Sequence, residues 1–314
     1  MTLGKKWIRA ILLLRRHYQN WLPTIFFYLT GKHTRTLILR NGIQLRYDAP
    51  QGIDFYNLAI LLNDGWNVEQ ISSKLLLLTN PTSHILKWSL SWGFVTLVEI
   101  FHDFEYGSEF SGKTIVDIGC GCGDSLLHFV ERGASFVIGL EPTRESYELA
   151  IENVKLNQLE DKVSVVNGAL VSSHAEVTLF TSNISPMSNA TDRTPSHGNY
   201  SRYNERSKVN PITWADLVQV HGTKIVDLLK IDCEGCEYGF LESISVEQAT
   251  YIREMVIEYH SGVDNLARKM RDLGYDVSIE VKGSANGILR GVRRETLCLL
   301  NPRDPGIDFR TARS

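Results

Sequence analysis

The stretch TIVDIGCGCGDS, residues 114–125, decides how the rest of the chain reads. Ile115, Val116 and Ile118 make a short apolar run, and Gly119, Gly121 and Gly123 follow at alternate positions. An apolar run bounded by glycines is the pattern of a strand buried on both faces that ends in a tight turn. DSLLHFVERG, residues 124–133, then reads as a helix closed by Gly133. Glycines at such a turn let the backbone approach a ligand with no Cβ in the way, while the N–H groups that open the helix point at the same place. In an open parallel sheet the ligand lies beyond this end of the first strand. Three readings compete: a cofactor loop, a C-x-C metal site, or a tight turn alone.

The segments downstream favour a parallel sheet covered on both faces. SFVIGLE (135–141) is a second strand and VSVVNGALV (163–171) a third; between them RESYELAIENVKLNQL places Tyr147, Ala150, Ile151 and Val154 on one helical face, with Thr143 as N-cap. KIVDLLKID (224–232) and EMVIEYH (254–260) are the fourth and fifth strands, and NLARKMRDLG (265–274) is a helix. YDVSIEV (275–281) and TLCLLN (296–301) are expected to add an antiparallel edge. AEVTLFTSN (175–183) alternates like a hairpin arm, and residues 182–210 are polar and aperiodic, as an inserted loop would be. The expected fold is α/β, a Rossmann-like, doubly wound and mostly parallel sheet with an antiparallel edge, in a domain over 106–314. Residues 1–105 read as a basic accessory segment with helical stretches and one hairpin, TLILRNGIQLRYD (36–48).

The charge is unevenly placed. Residues 1–50 carry nine Lys or Arg against the single acid Asp48, although the chain's net charge is -3. KKWIRAILLLRRHYQNWLPTIFFYL (5–29) mixes basic clusters with Trp7 and Trp21. That pattern is read first as a helix docked on the protein's own core, with a peripheral membrane contact through residues 1–30 as the alternative. The apolar run from Ile8 to Leu14 falls far short of the ~20 residues needed to cross a bilayer. No signal peptide is expected, and five cysteines, an odd number, fit free thiols in a cytoplasmic setting.

The dinucleotide fingerprint G-x-G-x-x-G/A fails here: counted from Gly119 its sixth place is Asp124, and counted from Gly121 it is Leu126. That speaks against an NAD-type oxidoreductase. Asp117 and Asp124 on both sides of the turn would repel a pyrophosphate but suit a ligand bearing an ammonium and a sulfonium, as S-adenosylmethionine does. Glu141, about 20 residues on, stands where an acid accepts hydrogen bonds from a ribose. Pro142, Gly168 and Ala169 complete the expected cofactor-binding set. Cys120, Cys122, Cys233 and Cys236 could in principle bind zinc from neighbouring loops. C-x-C is tighter than the usual zinc spacing, so no metal is expected and a non-catalytic zinc module is the weaker alternative.

VDIGCGCGDSLLHF, then IGLEPTRESYELAIENVKLNQL, then LLKIDCEGCEYGFL resemble the FkbM-family methyltransferases over roughly residues 110–260. The matching positions are Asp117, Gly119, Gly123 and Asp124; Glu141 and Pro142; Asn153 and Asn157; and Lys230, Asp232, Glu234, Gly235 and Glu237. Glu258 and His260 resemble the next strand. The resemblance implies a class I methyltransferase fold, S-adenosylmethionine as cofactor, and O-methylation of a hydroxyl on a sugar-like or polyketide-like acceptor. Exocyclic amine acceptors are often met by [DN]PP[YF] at the end of the fourth strand. This chain has DCEG there, and no nucleic-acid partner is expected. Asp232 and His260 are the candidate proton acceptors, with Glu234 or Glu258 orienting the acceptor. Lys230 is a candidate for catalysis or for an ion pair with Asp232 or Asp117.

Overall fold

A computed structural model of the chain describes residues 3–30, 36–47, 53–181, 205–220, 222, 225–283 and 285–294. Helices α1 (Leu3–His17) and α2 (Trp21–Thr30) open the chain, followed by the expected hairpin, β1 (Thr36–Ile38) with β2 (Gln44–Arg46). Helix α3 (Phe55–Asn63) is capped by Asp54, whose carboxylate accepts the Asn57 N–H. Next comes a three-stranded antiparallel meander, β3 (Asn67–Gln70), β4 (Leu75–Thr79) and β5 (Ile85–Ser89), then α4 (Val95–Phe101). The sequence pattern did not announce this meander. Leu75–Leu78 is a continuous apolar run, and only in the fold do its side chains alternate between buried and partly buried.

The glycine-loop region forms as its pattern requires. Strand β6 (Thr114–Ile118) leads into α5 (Asp124–Glu131), β7 (Phe136–Glu141) into α6 (Arg144–Leu156), and β8 (Val163–Asn167) is followed by β9 (Ala169–Val171). Strand β10 (Val177–Thr181) pairs antiparallel with β11 (Glu205–Val209), so the tail of the segment expected as loop is a strand; residues 182–204 lie outside the described residues. Strand β12 (Pro211–Thr213) lies beside β9 and opens α7 (Trp214–Val220). Then come β13 (Val226–Ile231), α8 (Cys236–Ser243), α9 (Val246–Ala249), β14 (Ile252–Tyr259), α10 (Asp264–Asp272), β15 (Tyr275–Val281) and β16 (Gly287–Arg293). The last strand is therefore GILRGVR, and the expected strand 296–301 lies outside the described residues.

The main sheet runs β15-β16-β14-β13-β6-β7-β8, with β14, β13, β6, β7 and β8 parallel and β16 antiparallel to both its neighbours. This is the strand order of class I methyltransferases, and order reverses between β6 and β13. The two-residue period divides each strand between two cores. Ile115, Val137, Leu228 and Val256 pack on one side with residues of α1, α3, α4 and β4. Val116, Ile138, Leu229 and Ile257 pack on the other with Phe240, Leu266 and Met270. The N-terminal segment thus shares a core with one face of the sheet.

A second tie comes from α6. Asn153 accepts the Lys87 N–H at 2.7 Å and donates to Lys87 O and to Cys122 O, while Asn157 accepts the Ile85 N–H at 2.7 Å and donates to Ile85 O. Among the described residues, no helix is long and apolar enough to cross a membrane.

Candidate active site

The pocket opens at the carboxyl ends of the strands, where β6 and β13 meet. Gly119, Gly121, Glu141, Pro142, Gly168, Ala169, Asp232 and Glu234 line it. Gly119 has φ 79°, and a Cβ there would sit 1.8 Å from Asp232 O, so no other residue fits the crossing. Gly123, at φ 88°, is the residue from which α5 starts. Gly168 is required for a different reason: a Cβ would press on Ile212 at 2.5 Å.

Glu141, at the end of β7, is buried. Its Oε2 accepts the Gly121 N–H at 3.1 Å and its Oε1 the Thr143 N–H at 2.7 Å. Burial raises its carboxyl to about 7, against the pull of those N–H groups. Thr143 does stand at the N-cap of α6, though its side chain makes no capping bond.

Asp117, Asp124 and Lys230 stand behind the loop rather than along the pocket wall. Lys230 Nζ lies 2.9 Å from Asp117 Oδ1, donates to Gly119 O at 2.8 Å, and is 3.9 Å from Asp232 Oδ2. Burial works against its charge, yet Asp117 and Asp232 outweigh that and hold it above the ordinary lysine value. Ser125 Oγ donates to Asp117 Oδ2 at 2.5 Å. The negative charge expected to face a ligand from Asp117 is therefore taken up inside the protein. Asp124 is buried, with Oδ2 lacking a hydrogen bond among the described residues, and burial lifts its carboxyl to about 6.

The acceptor end brings together the other candidates. Asp232 follows β13 and His260 follows β14, with His260 Nε2 3.7 Å from Asp232 Oδ1 and 3.8 Å from Glu234 Oε1. His260 Nδ1 is 3.2 Å from Glu237 Oε1. Glu237, fully buried, also accepts the Gly235 N–H at 2.8 Å, so it both caps α8 and holds the imidazole. Burial would lower the His260 pKa, but the Glu237 bond and the charges of Asp232 and Glu234 raise it to about 10. Burial, then the charge of Asp232, lifts Glu258 to about 8. Tyr106, which carries no motif in the sequence, donates its hydroxyl to Asp232 Oδ2 at 3.0 Å and sets its ring 5.1 Å from Lys230 Nζ.

The cysteines depart from the expectation of free thiols. Cys233 and Cys236 are joined by a disulfide, their Cα atoms 5.6 Å apart across the turn into α8. Cys120 and Cys122 remain free but are buried in the core beside Leu126 and Val137. Two thiols are thus consumed and two face the core, which removes the four-cysteine zinc alternative. Cys298 lies outside the described residues.

The chain is 36% identical over 59 residues to a ribosomal protein L11 methyltransferase of Alteromonas mediterranea, covering 19% of this chain and 20% of that protein. It is 38% identical over 65 residues to protein arginine N-methyltransferase 6 of Xenopus tropicalis, covering 21% and 19%. The chain thus spans about a fifth of the length of these curated relatives. The crystal structure of an FkbM methyltransferase from Methylobacillus flagellatus superposes with a TM-score of 0.41 at 14% identity, over 58% of this chain and 44% of that one. The model of the methyltransferase FkbM domain matches residues 116–277, just over half of the 314-residue chain and the same β6-to-β15 core that carries the pocket. The chain belongs to the FkbM methyltransferase family.

Proposed function

We propose that this methyltransferase moves the methyl group of S-adenosylmethionine to a hydroxyl of a carbohydrate, glycolipid or polyketide-like acceptor. The observation that carries the acceptor class is the chemistry of the pocket's far end. Asp232 and Glu234 line it, and an ionised carboxylate only accepts hydrogen bonds, so this end suits a ligand rich in hydroxyl donors.

The residues at the other end fit the cofactor. Glu141 spends one acceptor position of each oxygen on a backbone N–H and keeps the rest for a ribose diol. Ile118, Leu140 and Leu170 give apolar wall for a flat ring, and Gly119 and Gly121 let the backbone come close. Bound there, S-adenosylmethionine supplies an electrophilic methyl group. Asp232 is about a quarter exposed and sits where an incoming hydroxyl would meet it, so its carboxylate takes the proton. His260 is held as an imidazolium near neutral pH, which suits it to donate rather than to act as base. Tyr106 and Lys230 hold Asp232 in place.

Transfer of radiolabelled methyl to a panel of glycosides, glycolipids and polyketide alcohols tests the assignment, with Asp232→Asn as the diagnostic variant. We expect turnover to fall by roughly 10²–10⁴ while S-adenosylhomocysteine still binds. Wild-type turnover in a folded Asp232→Asn enzyme, or label found on an amine, would overturn it.

Helices α1 and α2 support a membrane-associated acceptor. Ala10, Leu14 and Tyr18 face the core, whereas Ile8 and Leu12 on α1 and Leu22 and Phe26 on α2 are exposed near Arg9, Arg15 and Arg16. We expect anionic vesicles to pull the protein down at low salt and release it at high salt, because such attraction is screened beyond ~8–10 Å. Absence of vesicle binding at every ionic strength would rule this surface out.

A further inference from the structure

We infer that Asp232, Glu258 and His260 form a site for one divalent first-row cation of the Mn2+ kind at the acceptor end of the pocket. The ligand atoms of these three side chains all lie within 4.8 Å of one another. Asp232 and His260 stand just past the ends of the neighbouring parallel strands β13 and β14, and Glu258 lies within β14, so the donors are carried by rigid elements of the sheet.

His260 supplies the sign that something belongs between them. It is only 5% exposed, and its Nε2 makes no hydrogen bond among the described residues. Its separations of 3.7 Å from Asp232 Oδ1 and 3.8 Å from Glu234 Oε1 are too long for hydrogen bonds. They are the separations of atoms that share one ion: two ligands each about 2.1 Å from a common centre lie about 3.0–4.2 Å apart. On the ring's other side, Nδ1 meets the buried Glu237 carboxylate at 3.2 Å. That bond keeps the Nδ1 proton on Glu237, so an ion that displaces the Nε2 proton meets a lone pair facing Asp232, the carboxylate–imidazole–metal arrangement of many metal sites.

Glu258, the third donor, makes no side-chain hydrogen bond among the described residues. The nearest cationic side chains are engaged elsewhere: Lys230 with Asp117 and Gly119 O, and Lys282 with Glu105 and Glu99. Two carboxylate oxygens with one imidazole nitrogen form a mixed donor set that suits Mn2+ or Zn2+ better than Mg2+, which prefers an all-oxygen shell. An ion here would border the wall where Asp232 meets the acceptor, and its role toward a hydroxyl rests on the function proposed above. Its presence does not.

The test uses the full chain stripped with chelator and titrated with Mn2+ in the absence of cofactor and acceptor, free Mn2+ being followed by electron paramagnetic resonance. One Mn2+ per chain is expected for the wild type, no saturable binding for Glu258→Gln, and roughly 10–100-fold weaker binding for Glu237→Gln, which acts only by positioning His260. Retained S-adenosylhomocysteine binding shows that each variant is folded. Failure of the folded wild type to bind Mn2+ at millimolar concentration, or wild-type affinity in Glu258→Gln, would overturn the site. Since no acceptor is present, a wrong acceptor class leaves this result untouched, and a missing ion leaves methyl transfer to be judged by itself.

Discussion

The two ends of the pocket are built on opposite electrostatic terms. Around the glycine loop, charges are answered from within: Lys230 meets Asp117 and Gly119 O, Ser125 serves the other Asp117 oxygen, and Glu141 receives two backbone N–H groups. Around His260, Asp232, Glu234 and Glu237 crowd one imidazole, and Glu258 is pushed up to about 8 by burial and by Asp232. The first end is braced before any ligand arrives, with Asp124 Oδ2 alone of its named carboxylate oxygens left outside the hydrogen bonds and ion pairs described above. On the function proposed above, the second is completed by what it binds.

The contrast breaks most visibly at Lys230. Lys230→Met keeps the stem but leaves Asp117 buried without its cation, and losing one partner of a buried pair costs about 3–5 kcal/mol. Urea unfolding should show that loss, whereas Asp232→Asn at the open end should unfold close to the wild type. Equal losses in the two variants would erase the distinction between the ends.

A smaller effect is expected at Glu141, which is loaded by backbone donors yet reserved for the ligand. Glu141→Ala should weaken S-adenosylhomocysteine by about 1.5–3 kcal/mol, the range for hydrogen bonds to a charged group, as measured by titration calorimetry. Unchanged affinity in a folded variant would mean that this carboxylate only braces Gly121 and Thr143.

Much of this was legible in the sequence, for a physical reason. A parallel strand buried on both faces is apolar at most positions, and a backbone crossing as close as Gly119 over Asp232 admits only glycine, so β6, β7, β13 and their turns announce themselves. Partners across the fold do not. Asp117 could be recognised as an acid by the loop, but its pairing with Lys230 depends on β6 and β13 being neighbours. Tyr106 reaches Asp232 from a segment with no periodicity, and the meander's Leu run looks the same whether it coils or extends. The Cys233–Cys236 bond needs the turn geometry at α8, which spacing alone leaves open. Strand β16 hid because its two glycines and two arginines, in GILRGVR, dilute the apolar signal.

Asn153 and Asn157 matched the family's pattern in the second helix, and their positions say something about solution behaviour rather than chemistry. Strand β5 is the outer strand of its sheet, and the backbone groups of Ile85 and Lys87 are the ones a second polypeptide would pair with. Each asparagine amide offers one donor and one acceptor at the spacing of a neighbouring strand and so occupies that place itself. A helix thereby occupies the margin of the meander where another chain would pair, and it does so with two side chains that do not line the pocket.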